Sequence, residues 1–245
     1  MSISQKKIEE DFVKIVSWNC CWQKNGFTSE KRDLIFMMNP DILIIQECKQ
    51  DDWEKLDYSD KNGDWYSDSK ESRGNPDWDH GIGIFCKNDF TIDKSLFNRE
   101  DLSNMRYSLP YIIKIEGKEI MTLFSVWTKP GYKNYHVPVY NSLDYFYEKI
   151  NSPIVFIGDF NTGSMQGSSN AHWYEELKKH FGEKKIYNCA DAQEWIPTFY
   201  RGNGSWLDDH CFASVEMKTI SFGIGNHDYW QKYSDHCPIM VEFEI

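Results

Sequence analysis

The chain has 245 residues, a formal net charge of −11 and a hydrophobic content of 40%. This composition excludes a disordered chain, and the excess of acidic residues disfavours broad electrostatic binding to nucleic acid or anionic membranes. The seven cysteines are odd in number and form no CxxC pair, so neither a zinc ribbon nor a disulfide framework is indicated. The first residues lack the apolar segment of a secretory signal, and no stretch approaches the roughly 18 apolar residues of a membrane span. We therefore expect a cytoplasmic protein.

The N-terminal part of the chain predicts a strand, a helix and a second strand. Residues 1–11 are polar and charged and predict a flexible arm. The apolar run 12–18 (FVKIVSW) predicts a strand, and a helix capped by Thr28 or Ser29 follows it. Residues 41–46 (DILIIQ) predict a second buried strand. This succession is typical of a βαβ unit.

The rest of the chain predicts mainly strands, with two more helices between them. Strands are predicted at residues 64–67, 81–87, 90–96, 111–116, 120–127, 154–157, 195–199, 211–214, 217–222 and 238–243. Helices are predicted at residues 139–150 and 171–181. Because no repeat, low-complexity segment or change in composition marks a linker, we expect residues 12–245 to form a single α/β domain.

Five of the apolar segments carry polar residues of a few types at one end. These residues are Asn19, Glu47, Asp159 with Asn161, Asp208 with Asp209 and His210, and Asp235 with His236. Any single case fits a hydrogen-bonded turn or cap, and the segment 159–161 fits an Asx turn as well as it fits a site. In α/β sheets, however, ligands bind beyond the carboxyl ends of the strands. Taken together, the five segments predict a functional site.

The residue types at these strand ends suit metal-assisted displacement at phosphorus. Carboxylates are the ligands that Mg²⁺ and Mn²⁺ prefer, usually together with water and substrate phosphate. A histidine beside carboxylates can act as an acid or stabilise a developing oxyanion, and an asparagine can orient a phosphoryl oxygen. The sequence has no Gly-rich Walker loop, GxSxG or HExxH motif, which weighs against nucleotide hydrolases, serine hydrolases and zinc peptidases.

The order of five short motifs resembles the endonuclease/exonuclease/phosphatase family. The motifs are SWN at 17–19, QE at 46–47, GDFN at 158–161, the pair Asp209-His210, and SDH at 234–236. The resemblance, which spans residues 15–243, implies a four-layer α/β sandwich of two mixed β-sheets packed face to face and flanked by helices. It also implies a phosphoesterase that depends on Mg²⁺ or Mn²⁺, with a phosphoester substrate and with nucleic acid among the candidates. We expect a monomer.

The resemblance implies a role for each matching residue near the metal. Glu47 would bind Mg²⁺ or Mn²⁺, with Asn19 close by, and Asp235 would lie next to the metal. These three residues are therefore the predicted metal site.

The resemblance also implies which residues act on the phosphate and the attacking water. Asp159 would orient or deprotonate the water, and Asn161 would hold the scissile phosphate. His236 would contact a phosphate oxygen and would be oriented by Asp209. Asp209 is preferred to Asp208 because counting back along the following strand aligns it with the family's aspartate.

The sequence departs from the family in the strand before the long helix. Many members carry Asn-x-His or Asn-x-Tyr there, whereas this chain has Ser125-Val126-Trp127. Trp127 cannot act as a general acid, so an assisting group must come from elsewhere, and Tyr140, His136 and Tyr132 are candidates. We expect Trp127, Tyr140 and His136 to contact the substrate.

Two further departures weigh against the abasic-site endonuclease subgroup. Cys21 stands where those enzymes tend to have a metal-binding aspartate, and Leu207 stands where an arginine is common. Two other functions remain open: a catalytically silent binding module on the same scaffold, and a phosphomonoesterase of small phosphorylated metabolites.

Overall fold

A computed structural model describes residues 12–21, 26–56, 62–67, 80–98, 102, 105, 107–128, 134–163, 171–190 and 196–245. The predicted arm at residues 1–11 and the candidate Tyr132 lie outside these residues.

The described residues form strands connected by short helices. The strands are β1 (Phe12–Asn19), β2 (Ile42–Cys48), β3 (Gly63–Tyr66), β4 (Gly81–Cys86), β5 (Phe90–Asp93), β6 (Ser108–Ile115), β7 (Lys118–Trp127), β8 (Ile154–Asp159), β9 (Ile186–Asn188), β10 (Phe199–Arg201), β11 (Gly204–Trp206), β12 (Asp209–Ser214), β13 (Lys218–Ile224) and β14 (Ile239–Glu244). The helices are α1 (Ser29–Met38), α2 (Val137–Phe146), α3 (Ala171–Glu183) and α4 (His227–Trp230), and 3₁₀ turns span Gln50–Leu56 and Tyr147–Lys149. No helix of the described residues is long and apolar enough to cross a membrane.

The strands form two six-stranded mixed sheets, in the orders β13-β14-β1-β2-β4-β3 and β5-β6-β7-β8-β12-β9. The pairs β1–β2 and β7–β8 are parallel and their described neighbours are antiparallel. A separate hairpin, β10–β11, lies outside both sheets.

Alternation of side chains along the strands builds a core on each side of both sheets. In β1, Ile15 joins a cluster that also contains Leu123 and Ile157 of the second sheet, so the two sheets pack face to face. The next residue, Val16, joins a cluster with Leu34 of α1 on the outer face of the first sheet. A third cluster packs α2 and α3 on the outer face of the second sheet. The structure is thus the predicted four-layer α/β sandwich.

Several predicted elements have different bounds in the structure; the predicted strand at 90–96, for example, ends at Asp93. The predicted helix at 139–150 begins earlier, at Val137, because Pro138 suits the first helical turn, and it gives way to a 3₁₀ turn after Phe146. The predicted strand at 195–199 is wrong for residues 196–198, which are irregular. A hairpin begins there instead, because Gly202 adopts φ 60° and reverses the chain between β10 and β11.

The parallel pair β7–β8 depends on a glycine beside the site. Gly158 has φ 148°, and a Cβ atom there would lie 1.9 Å from the carbonyl oxygen of Val126. Only glycine lets the two backbones approach this closely, and the approach fixes the position of Asp159, the next residue.

Candidate active site

The polar strand ends meet at one end of the sandwich, where Asn19 connects the two sheets. Its Nδ2 atom donates to Asp159 Oδ2 at 2.9 Å and to Glu47 Oε1 at 3.3 Å. Its Oδ1 atom accepts from the backbone N–H of Cys21 at 3.0 Å. Asn19 therefore presents a hydrogen-bond donor to both carboxylates, and its oxygen is turned toward the chain that follows it. In this orientation Asn19 links the two carboxylates, and its place beside a metal stays a prediction.

His236 lies between two buried carboxylates. Its Nδ1 atom is 2.8 Å from Asp209 Oδ2, and its Nε2 atom is 3.9 Å from Asp159 Oδ2. Burial alone would lower the pKa of His236, but the carboxylates of Asp209 and Asp159 outweigh it and raise the pKa to about 10. The raised pKa favours the imidazolium form of His236, whose Nδ1–H donates to Asp209.

Three buried aspartates, Asp159, Asp208 and Asp209, lie around the His236 ring. Burial raises the pKa of Asp159 well above its usual range, and burial raises the pKa of Asp208 to about 7. Asp209 Oδ1 is buried and has no hydrogen-bond partner. Buried carboxylates with an unpartnered oxygen fit a site that takes up further positive charge or hydrogen-bond donors from a ligand.

The sequence left open whether the GDFN segment forms an Asx turn or part of a functional site. In the structure it forms the turn and also lies at the site. Asp159 Oδ1 accepts from the backbone N–H of Asn161 at 2.9 Å, which is an Asx turn, and Asn161 adopts φ 48°. Asn161 Nδ2 donates to the carbonyl of Thr128 at 2.6 Å. Because the turn uses only Oδ1, the other oxygen of Asp159 faces Asn19 and His236.

Two hydrogen bonds hold the SDH motif against β1, and a third lies within the motif. Ser234 Oγ donates to the Asn19 carbonyl at 2.7 Å and accepts from the backbone N–H of His236 at 3.0 Å. Trp18 Nε1 donates to the carbonyl of His236 at 3.0 Å. These bonds fix the backbone of His236 relative to Asn19.

The predicted metal residues Glu47 and Asp235 lie near Cys21. Burial and then the Asp235 carboxylate raise the pKa of the Cys21 thiol to about 12, and Glu47 adds to this effect. Carboxylate oxygens of this kind fit Mg²⁺ or Mn²⁺. Asp159, Asp209 and His236 also place one potential ligand atom each within 4.8 Å of one another. The 2.8 Å contact between His236 Nδ1 and Asp209 Oδ2 also joins two of these residues in a hydrogen bond.

The endonuclease/exonuclease/phosphatase family model matches residues 16–236. The chain belongs to this family. A DNA-(apurinic or apyrimidinic site) endonuclease from Dictyostelium discoideum is 22% identical over 275 residues, which cover 100% of this chain and 74% of that protein.

Solved structures of family members share the fold. An endonuclease/exonuclease/phosphatase from Bacteroides vulgatus has a TM-score of 0.68 and 15% identity over 96% of this chain and 99% of its own. An AP endonuclease from Archaeoglobus fulgidus has a TM-score of 0.64 and 17% identity over 95% of this chain and 100% of its own. At these identities the matches show the common fold.

The three residues predicted from the sequence to contact the substrate, Trp127, His136 and Tyr140, pack against other side chains. Trp127 is 5% exposed and packs in the core between the sheets, with its ring 5.2 Å from that of Tyr107. His136 is buried, with Nε2 3.3 Å from Glu176 Oε2, and the Tyr140 ring stacks on His180. The structure thus places Trp127 in the core because its side chain points between the sheets, and it places His136 and Tyr140 between α2 and α3.

Two aromatic residues that the sequence did not indicate, Tyr135 and Phe199, lie beside the site carboxylates and His236, and Trp206 lies next to Phe199. Burial, then Asp159 and Asp208, raise the pKa of Tyr135, so its phenol lies near both carboxylates. Phe199 packs on His236 with ring centroids 4.6 Å apart, and Trp206 packs on Phe199 at 5.5 Å. The hairpin β10–β11 therefore forms an aromatic wall beside His236. A turn-forming Gly-Asn-Gly at 202–204 was the available signal for this hairpin.

Proposed function

We propose that the protein is a divalent-metal-dependent phosphodiesterase that acts on nucleic acid. The observation that carries the proposal is the continuous set of contacts from Glu47 through Asn19 and Asp159 to His236 and Asp209. It combines an acid and a base of opposite charge within one buried site. Members of the family hydrolyse phosphoester bonds, and the Dictyostelium relative is named as a DNA endonuclease.

Asp159 is the proposed base for the attacking water. Its raised pKa makes it a stronger proton acceptor than an ordinary aspartate. Its Oδ2 atom is oriented by Asn19 and faces His236 Nε2 across 3.9 Å. A water that approaches this oxygen would transfer its proton to Asp159 as its oxygen bonds to phosphorus. The bond from phosphorus to the leaving ester oxygen breaks in the same step, and the departing oxygen takes a proton from solvent.

His236 is the proposed donor to a phosphoryl oxygen. Its Nδ1 proton is used by Asp209, which leaves Nε2–H as the group that faces the substrate. Charge on the imidazolium stabilises the extra negative charge that develops on the phosphate in the transition state. Asp209 holds the ring in the orientation that this requires.

The metal is assigned to Glu47 and Asp235. When bound, Mg²⁺ or Mn²⁺ would supply positive charge that polarises a phosphoryl oxygen. Glu47 would be oriented for this role by the Nδ2 donor of Asn19.

The substrate proposal is a nucleic acid contacted over a small area. A net charge of −11 disfavours long phosphate contacts, so affinity must come from the site itself. Phe199 and Trp206 offer faces on which a base or sugar can pack beside His236. Abasic-site DNA stays in the substrate panel because of the Dictyostelium relative, although Cys21 and Leu207 differ from the residues common in abasic-site endonucleases.

The test is hydrolysis by the full-length protein with Mg²⁺ or Mn²⁺. The panel contains abasic-site duplex, single-stranded and duplex DNA, RNA, a bis-aryl phosphodiester and inositol phosphates. We expect cleavage of a phosphodiester that EDTA abolishes and that Asp159→Ala or His236→Ala lowers by about 100-fold or more. His172→Ala is the matched control, because His172 is exposed on α3 and pairs with Glu176. Cleavage that persists in EDTA, or that survives both site variants, would refute the proposal.

A further inference from the structure

Lys31 is a buried lysine next to the site, in an environment that disfavours its charge. It lies in the first turn of α1, where its backbone N–H donates to the capping oxygen Thr28 Oγ1 at 3.3 Å. Its side chain is 1% exposed. Burial lowers the pKa of Lys31, and the positive end of the helix dipole also disfavours a cation at this position. Such a group needs specific partners.

The ammonium group of Lys31 finds partners in the backbone that follows Asn19. Nζ donates to the carbonyl oxygen of Cys20 at 2.6 Å and to that of Cys21 at 3.4 Å. Cys21 adopts φ 44°, a left-handed conformation that is uncommon for residues other than glycine. The two bonds from Lys31 therefore hold a strained turn in place.

This turn determines how Asn19 is oriented. The backbone N–H of Cys21 donates to Asn19 Oδ1 at 3.0 Å. With the oxygen held there, Nδ2 faces Asp159 Oδ2 at 2.9 Å and Glu47 Oε1 at 3.3 Å. A chain of hydrogen bonds thus runs from a helix lysine, through the Cys20–Cys21 backbone, to both carboxylates.

We propose that Lys31 is a positioning residue, which acts through the Cys20–Cys21 backbone to hold the Asn19 amide against Asp159 and Glu47. The expected effect of Lys31 on metal affinity and on the rate of hydrolysis rests on the proposed function, because Lys31 acts on the reaction only through these two carboxylates. Its effect on the Asn19 side chain does not need a metal or a substrate.

The test compares three variants of the full chain. Lys31→Met keeps an unbranched apolar side chain that is one atom shorter and removes the ammonium. Lys31→Gln keeps a neutral donor that is too short to reach the carbonyls. Leu34→Ala is the matched control, because Leu34 is buried on the same helix in the core cluster with Ile35. It lowers stability without touching the turn.

Three readouts separate positioning from a general loss of stability. The side-chain NH₂ signals of Asn19, identified by their loss in Asn19→Asp, are recorded by ¹⁵N NMR without metal. The Mn²⁺ dissociation constant is measured by calorimetry, and kcat and KM are measured on the substrate from the panel. We expect both Lys31 variants to shift the Asn19 signals, and to weaken Mn²⁺ binding or kcat by about 10- to 100-fold with KM within about threefold. Leu34→Ala should change none of these by more than about threefold.

Each result decides between the two roles. Unchanged Asn19 signals in a folded Lys31 variant would overturn the inference, and so would equal losses in Leu34→Ala. If Lys31→Met does not fold, Lys31→Gln carries the same test. If the wild-type protein neither binds Mn²⁺ nor hydrolyses any phosphodiester, the proposed function fails, and the Asn19 signals still decide whether Lys31 positions the amide.

Discussion

His236 is hydrogen bonded through Nδ1 to Asp209 at 2.8 Å, and not to the adjacent Asp208. The backbone N–H groups of both aspartates donate to Thr198 Oγ1, at 3.1 Å from Asp208 and 3.0 Å from Asp209. This shared anchor fixes the start of β12, so that one of two neighbouring carboxylates orients the histidine. The other remains a buried acid with a raised pKa. Two residues of the same type thus have different roles.

Replacing Asp209 should change both the rate and the titration of His236. Asp209→Asn removes a carboxylate that raises the pKa of His236, so that pKa should fall from about 10 toward the usual value of about 6.5. We expect kcat to fall by about 100-fold, since the ring loses its charge and its orientation. Asp208→Asn should leave the Nδ1 bond intact and lower kcat by less than about tenfold. NMR titration of the His236 ring measures the pKa, and steady-state kinetics measure kcat. Equal effects of the two variants would contradict the role of Asp209 as the residue that orients His236.

Asp208 should make the protein less stable as the pH rises. Its pKa is about 7 in the folded protein against 3.8 as the ordinary value, so the folded state holds a proton that the unfolded state releases between these values. The contribution to stability is therefore present below about pH 4 and is lost as the pH rises through about 7. This loss is absent in Asp208→Asn. The free energy of unfolding of the variant, relative to that of wild type, should therefore increase by up to about 4 kcal/mol from pH 4 to pH 8.

Urea unfolding of the metal-free wild-type and Asp208→Asn proteins at the two pH values measures this difference. Asp89→Asn, at an exposed carboxylate in the turn between β4 and β5, is the control and should show a much smaller change. A difference between wild type and Asp208→Asn that does not grow with pH would rule out the raised pKa.

Local sequence predicted most strands and helices of an α/β domain because their determinants are local, and the family resemblance predicted the four-layer sandwich. The run ILII in β2 alternates between the inner and the outer core, and Thr28 caps α1 through its side chain. The hairpin β10–β11 was missed because its strands have three residues each and belong to neither large sheet. Segments this short carry too little periodicity to be recognised.

Site residues that belong to a short motif could be predicted from the sequence. Residues whose role depends only on their contacts in the fold could not. Asp159 and His236 stand in GDFN and SDH, so their order along the chain was enough to select them. Lys31 belongs to no motif, and its role depends on contacts with two backbone carbonyls that a sequence does not show. Trp127 was selected by the family resemblance alone, but the direction of its side chain depends on the register of β7.

The aromatic wall should contribute to substrate affinity. Phe199 packs on His236 and is half-buried, so its outer face remains for a base or sugar. Phe199→Ala should raise KM for a nucleic-acid substrate by about 5- to 100-fold, since stacking on an aromatic side chain contributes about 1–3 kcal/mol. Its effect on a small bis-aryl phosphodiester should be smaller. Ile196→Ala, three residues earlier and exposed, is the control. An unchanged KM in Phe199→Ala would show that the wall only packs against His236.

Gly158 should be intolerant of any side chain, because it lies where β7 and β8 approach most closely. A Cβ atom would lie 1.9 Å from the Val126 carbonyl at a backbone φ of 148°. Gly158→Ala must therefore push the parallel strands apart and displace Asp159, and we expect a loss of about 3 kcal/mol or more in the free energy of unfolding. Gly182→Ala is the matched control.

A Cβ atom at Gly182 would meet nothing within 4 Å, and alanine favours the helix, so this variant should gain about 0.5–1 kcal/mol in the free energy of unfolding. Urea unfolding of both variants measures the two changes. Wild-type stability of Gly158→Ala would mean that β7 and β8 tolerate a wider separation, and Asp159 would then owe its position to Asn19 and the Asx turn alone.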